Sequence, residues 1–331
     1  VAGGYETVGY NWTEQRSLDG SQPLSVLENV GGDPIAFYAT RHKPDPVTEQ
    51  FTQRWGTKIG QYVDRIALAF LQAEQKELYE NVKERMLPLL GRMHVAHTEK
   101  IRPALADGQA AIVLDVPLSQ PRWHSMMPPA DEPLPLPALA CVTGVSNADQ
   151  LRAGAAEYFE ALQAMITAMN EIAPDKVPPV QLPKPQLEEL DHGTVYSYAV
   201  APLTGLDPQI APNAGLSDSR LVVSLVPSAT RRLLEARTPE LAEPLSGVRD
   251  RPLASAWQFH FHRFVQMLRP WVNYGLQIAD QQEELDPMIP EHVTAVLEVL
   301  ECMRTITSYS YFEDDALVSF TRSQFQDLPA E

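Results

Sequence analysis

The chain has 331 residues, 43 Asp and Glu against 26 Lys and Arg, and a formal net charge of −17. Such a surface repels phosphate backbones and disfavours anionic membranes, so nucleic acid is not an expected partner. Hydrophobic residues make up 44% of the chain, a globular composition; no apolar run is long enough to span a bilayer, and the length exceeds what one small core uses.

Residues 1–33 are Gly-rich and polar and read as an N-terminal arm, leading through a short turn at Leu24–Leu27 to Gly31-Gly32-Asp33-Pro34. A first α+β unit with a Pro-rich linker is expected over 34–137. It opens with a strand at 35–41. Val47, Phe51, Trp55, Ile59, Val63, Ile66 and Phe70 then recur every three or four residues. That spacing predicts one apolar face of a helix about seven turns long, closing on neighbouring elements as solid core. Gly56 and Gly60 on that helix predict the close approach of a neighbour. A second helix carries Leu78, Val82, Leu89, Leu90 and Met93, with Pro88 expected to kink or restart it. Asp107-Gly108 is a turn signal, and Ala110–Val116 reads as a buried strand.

Seven prolines between 117 and 137 argue against a helix or central strand there. Trp123, Met126 and Met127 lie in that stretch. They read as pins holding an extended segment to the body, or as a partner-docking motif in polyproline-II form. A middle α+β unit is expected over 138–250. Its strand 138–145 enters a helix bearing Leu151, Phe159, Leu162, Ile166 and Met169 after Ser146-Asn147, and strand 220–226 enters another after Pro227-Ser228. Both junctions offer an N-cap residue. Thr194–Val200 alternates like a strand.

Residues 251–331 read as a second outer unit. Trp257–Arg263 forms a strand, a Pro-interrupted helix spans 264–278, a further helix starts at Pro290, and 305–322 close as a hairpin. Short runs echo between the ends. Phe37–Arg41 is answered by Phe259–Arg263, Leu90–Met93 by Leu300–Met303, and Ala111–Val113 by Ala316–Val318. The expected fold is therefore α+β, with duplicated strand–helix–helix–strand units, antiparallel sheets and a middle α+β unit.

The strongest chemical constellation is His260 and His262. Two residues apart on a strand, both imidazoles would share one face and form part of a zinc site, completed by His94, His97, His292 or a carboxylate. This supports a metal-dependent hydrolase as one alternative. A second alternative is a carrier of a small apolar ligand lined by Met165, Met169 and Trp271. No nucleophile elbow, phosphate-binding Gly loop or dinucleotide fingerprint occurs. Cys141 and Cys302 sit in apolar contexts and are expected to be buried free thiols. A start at Val1 rather than Met suggests a processed or trimmed chain, as removal of an export signal would leave.

Gly32-Asp33-Pro34-Ile35-Ala36-Phe37, Asp107-Gly108-Gln109-Ala110-Ala111, the run Leu221–Ser228 and the closing hairpin 307–320 together resemble a class of planctomycete-type bacterial exported proteins that carry a domain of unknown function. The similarity covers most of the chain through short motifs. It implies a periplasmic or secreted location and a duplicated α+β body, with no functional residues to transfer. The leading expectation is a non-catalytic binding or scaffold protein of a cell-envelope or extracellular assembly, with a protein partner and no resident cofactor.

Overall fold

A computed structural model describes residues 4–15, 17–174, 181–281 and 288–326. In chain order its elements are β1 (Gly4–Asn11), β2 (Ala36–Arg41), α1 (Pro46–Phe70), α2 (Ala73–Ala96), α3 (Arg102–Ala104), β3 (Gln109–Gln120), β4 (Leu134–Gly144) and α4 (Ala148–Ile172). These are followed by β5 (Gln186–Leu190), β6 (Gly193–Ser197), α5 (Ala201–Thr204), β7 (Asn213–Leu216), β8 (Arg220–Ser224) and α6 (Pro227–Leu234). The chain ends with β9 (Ser255–His260), α7 (Phe261–Gln281), α8 (Ile289–Cys302), β10 (Met303–Glu313) and β11 (Ala316–Phe325). Two compact units result. The sheet unit comprises Val1–His42, Gly108–Gly144 and Pro185–Glu331, and the helical unit comprises Lys43–Asp107 and Val145–Lys184.

The sheet unit holds an 11-stranded sheet in the order β1-β11-β10-β9-β2-β3-β4-β8-β7-β6-β5. Every neighbouring pair is antiparallel, so the α+β class holds. Residues 35–116 run β2, α1, α2, α3, β3 and residues 257–322 run β9, α7, α8, β10, β11, so both open as strand, helix, helix, and their first strands β2 and β9 lie side by side. Two of the three pairs of runs that echo in sequence are not equivalent in place. Phe259–Arg263 leaves its strand at His260 and enters α7. Ala316–Val318 belongs to the second strand after its helices, whereas Ala111–Val113 belongs to the first.

Alternation along the central strands puts Phe37, Ala39, Ala111, Val113, Ala140, Val142 and Val222 on one buried face. A 3₁₀ turn at Ser25–Asn29 covers it with Val26 and Leu27, α6 with Leu233 and Leu234, and the following loop with Leu245, Val248 and Leu253. The cover is tied down by buried Arg220. Its Nε donates to Asn29 Oδ1 at 2.9 Å and its Nη2 to Ser25 Oγ at 2.8 Å, while Asn29 Nδ2 donates to the Leu233 carbonyl at 2.9 Å. Arg220 and Asn29 are thus both paired, which offsets the desolvation penalty of burying them beneath the cover.

On the opposite face Tyr38, Ile112, Cys141 and Val223 stand in register across β2, β3, β4 and β8, and all four are exposed. Burial of Cys141 was expected from its apolar run; the period-2 alternation instead assigns it to the open face. Cys302 is partly exposed, and both are free thiols.

Several local expectations are corrected. The segment read as an arm contributes β1, which pairs with β11 along Gly4–Asn11 at the sheet edge. The prolines do not stop β3 and β4. The register shifts between Asp115 and Leu118, opposite Pro137, so Pro117 falls in a bulge. Neither strand has an outer neighbour beyond that point, since β2 pairs only up to Leu114 and β8 only from Ala140. Proline is tolerated on such unpaired edges. Pro88 leaves α2 continuous from Ala73 to Ala96. Asn147 caps α4 as expected, accepting from Gln150 N at 3.0 Å, but the residue before α6 is Val226 and Ser228 lies inside that helix.

Gly108 has φ +71°, and a Cβ there would overlap the His42 carbonyl oxygen. Gly108→Ala is expected to lower the unfolding free energy by about 2 kcal/mol, from left-handed strain and displaced backbone together; a denaturation midpoint equal to wild type contradicts this account. In the native chain Cys141 is expected to react with a thiol reagent such as DTNB without denaturant. Protection of Cys141 until unfolding would show that face of the sheet to be covered.

Candidate functional site

Among the described elements, α1 of the helical unit carries the most exposed large apolar side chains. α1 starts at Asp45-Pro46, where Asp45 Oδ1 accepts from Val47 N at 3.1 Å and proline occupies the first helical position. Val47, Phe51, Trp55, Ile59, Tyr62, Val63, Ile66 and Phe70 are each between 46% and 84% exposed. At 100° per residue they fill an arc about 160° wide centred near Trp55, Tyr62 and Ile66, and Asp64 stands roughly opposite. Asp64 accepts from Tyr79 Oη at 2.6 Å and Lys83 Nζ at 2.7 Å, both on α2. These hydrogen bonds, Lys83 foremost, hold its carboxyl below the ordinary value. The helix therefore turns its polar back to α2 and its apolar arc away from it.

That reverses the expectation of a solid core for this face. Among the described residues nothing lies within 4 Å of where a Cβ would stand on Gly56 or Gly60, so none of them is the neighbour these glycines predicted. Arg54, Lys58 and Arg65 line one edge of the arc, at about −60° to −100° from Trp55 on the helical wheel. Lys58 Nζ lies 5.8 Å from the Trp55 ring centroid. The two carboxylates of α1 are both engaged, Glu49 with Arg102 and Asp64 with Lys83.

A second feature lies in the sheet unit. A cleft of about 520 Å³ is lined by Asp33, Glu240, Ser246, Arg249, His260 and Arg263, among others. The last residue of β9, His260, donates its backbone N–H to the Ile35 carbonyl at 2.8 Å. Its Nε2 lies 2.7 Å from the Nε2 of fully buried Gln258. The Gln258 carboxamide also accepts from Ala242 N at 2.7 Å and donates to the Glu240 carbonyl at 3.2 Å. That network makes Gln258 the donor to His260 Nε2 and places the imidazole proton on Nδ1. Burial pushes the His260 pKa below its ordinary 6.5, and the Arg263 guanidinium pushes the same way. Arg263 pairs with the Asp33 carboxylate, and its Nη1 donates to the Asp33 carbonyl at 2.7 Å. The cleft thus presents a neutral imidazole between ion-paired groups, an arrangement suited to small polar ligands.

His262 does not share a strand face with His260. β9 ends at His260, and His262 lies in the first turn of α7 with Nε2 2.7 Å from Gln266 Nε2. The alternate-residue geometry behind the zinc reading is therefore not formed. Among the described residues, no three His, Cys, Asp or Glu side chains are grouped to hold a metal. The Pro-rich trio also separates. Trp123 is buried with Ala130 and Leu134, its Nε1 donating to the Leu134 carbonyl at 2.9 Å, and Met127 packs against that cluster. Met126 alone projects, 84% exposed. Of the residues named for an apolar carrier, Trp271 donates Nε1 to the Pro135 carbonyl at 2.6 Å. A groove along α4 is lined by Phe159, Gln163, Ala164, Thr167 and Ala168, with Met165 and Met169 outside its walls.

No family model, curated protein or solved structure matches the chain. Sequence reasoning missed Gln258, whose role depends on a loop 16 residues upstream. It found the apolar arc of α1 but read it as core.

The neutral state of His260 has a consequence for stability. The folded chain binds this proton less readily than the unfolded chain, so the contribution is present above the ordinary imidazole pKa and is lost as pH falls through it toward the folded value. Between pH 7.5 and 5 the denaturation midpoint of the native chain is expected to fall further than that of His260→Gln. Parallel pH profiles for the two would contradict the assignment.

Proposed function

We propose that the protein is a non-catalytic binding or scaffold protein of an exported cell-envelope or extracellular assembly, and that it attaches through the apolar arc of α1. The carrying observation is the direction of that arc. Eight large apolar side chains face away from α2 while a hydrogen-bonded carboxylate faces it. Patches of this extent on soluble proteins mark interaction surfaces, since leaving them in water forfeits the hydrophobic gain that burial would supply. The acidic sheet unit supports the same reading as a solubilising body. We further propose that 35–116 and 257–322 are copies of one structural unit. The opening order strand, helix, helix that they share and the adjacency of β2 and β9 support this.

The test is the behaviour of the intact chain with and without the arc. The native protein is expected to bind the apolar dye ANS while fully folded. Ile59→Asp combined with Ile66→Asp is expected to remove most of that signal and to change stability by only about 0.5 kcal/mol per site, as exposed positions do. A native chain that leaves the dye dark would overturn the attachment surface. A turnover of ester, peptide, glycoside or phosphate substrates that one point substitution abolishes would overturn the non-catalytic reading.

A further inference from the structure

We propose that α1 lies on the surface of an anionic lipid bilayer, with its apolar arc in the interfacial region and Arg54, Lys58 and Arg65 against the headgroups. The inference rests on the attachment reading above and names the occupant of that surface.

Charge is the first argument. The helical unit holds 13 Lys and Arg against 14 Asp and Glu, whereas the sheet unit holds 13 against 29. The net charge that disfavours anionic membranes for the chain as a whole therefore belongs to the sheet unit. All seven lysines of the chain lie in the helical unit. On α1 itself both carboxylates are engaged by Arg102 and Lys83. Among the described residues Arg54 and Arg65 have no ion-pair partner, and the one interaction of Lys58 is with the Trp55 ring. Charges beside a surface act on it more strongly than distant ones at physiological ionic strength, where screening sets in within about 8 Å, so the three cations along the arc weigh directly on what it meets.

The residue types are the second argument. An apolar arc with Trp55, Tyr62, Phe51 and Phe70, edged by Arg and Lys, on a helix about 37 Å long, matches what an interfacial helix requires. Aromatic rings settle at the headgroup level, and the long cationic side chains reach out to phosphate.

Symmetry is the third. If α1 met α1 of a second copy antiparallel, the two-fold axis would bring both cationic edges to the same side, six cations together. A two-fold along the helix would set each cationic edge against the other copy's glycine edge, where Glu49 is already paired with Arg102. Neither arrangement supplies counter-charge, whereas anionic lipid does.

The experiment is sedimentation of the intact protein with vesicles of phosphatidylcholine alone, or with about one third phosphatidylglycerol. Binding to the anionic vesicles is expected, falling as salt rises. Replacing all three cations (R54Q, K58Q, R65Q) is expected to weaken partitioning about a hundredfold, at roughly 1 kcal/mol per cation near such a surface. I59D with I66D is expected to abolish binding. W55F is expected to bind while losing the blue shift of tryptophan fluorescence that vesicles induce in the native chain. Failure to sediment with either vesicle, or sedimentation that none of the variants changes, overturns the proposal. A dimer in analytical ultracentrifugation that I59D with I66D abolishes, without vesicle binding, overturns it in favour of a second copy. A chain that ignores vesicles but still binds ANS through α1 loses the lipid occupant and keeps the attachment surface.

Discussion

The pairing of β2 with β9 is the contact on which the sheet unit depends. It joins residues 36–40 to residues 255–259, more than two hundred positions apart in the chain. β3, β4 and β8 build outward from β2, and β10, β11 and β1 build outward from β9. The pair is reinforced at both ends, by Thr40 Oγ1 donating to the Ala254 carbonyl at 3.0 Å and by His260 N donating to the Ile35 carbonyl at 2.8 Å. The cleft at His260 exists because of it. The same register that zips the strands sets Gln258 beneath the loop at 240–242 and His260 at the rim. Because the pairing is so distant in sequence, its loop-closure entropy must be met before any of the sheet's cooperative gain appears.

Much of the fold was legible in local signals. The β10–β11 hairpin, the Asp107-Gly108 turn, the helix opening at Ile289-Pro290 and the Asn147 cap are each fixed by chemistry within a few residues. What was not legible depends on partners far away in the chain. β1 reads as an arm because its eight residues are all exposed and, among the described residues, it pairs with β11 alone. The prolines of 117–137 read as strand breakers because the sequence does not show that β3 and β4 run on past their outer neighbours. His260 and His262 read as a same-face pair because the exchange from period 2 to period 3.6 occurs between them, and aromatic residues at 257, 259, 261 and 264 satisfy either period.

The arc of α1 illustrates a more general constraint. A stripe of apolar residues every three or four positions records that a helix face avoids water, and the record is the same whether protein core, another chain or lipid covers it. The covering medium is written in the edges of the stripe. Here one edge carries Arg54, Lys58 and Arg65, the other carries glycine, and the back carries the carboxylate that binds α2. Core-facing helices do not need such asymmetry. In the candidate cleft, by contrast, the informative residue is a neutral glutamine, whose three hydrogen bonds become apparent only once the loop is in place.

The distribution of amines has a practical side. Among side chains, only the helical unit can be acylated, biotinylated or cross-linked by amine-directed reagents, since it holds every lysine. Immobilising the protein by such chemistry would tether it through the unit that bears α1. For work on the apolar arc, an attachment at the exposed thiol of Cys141 in the sheet unit would leave the amines of the helical unit unmodified.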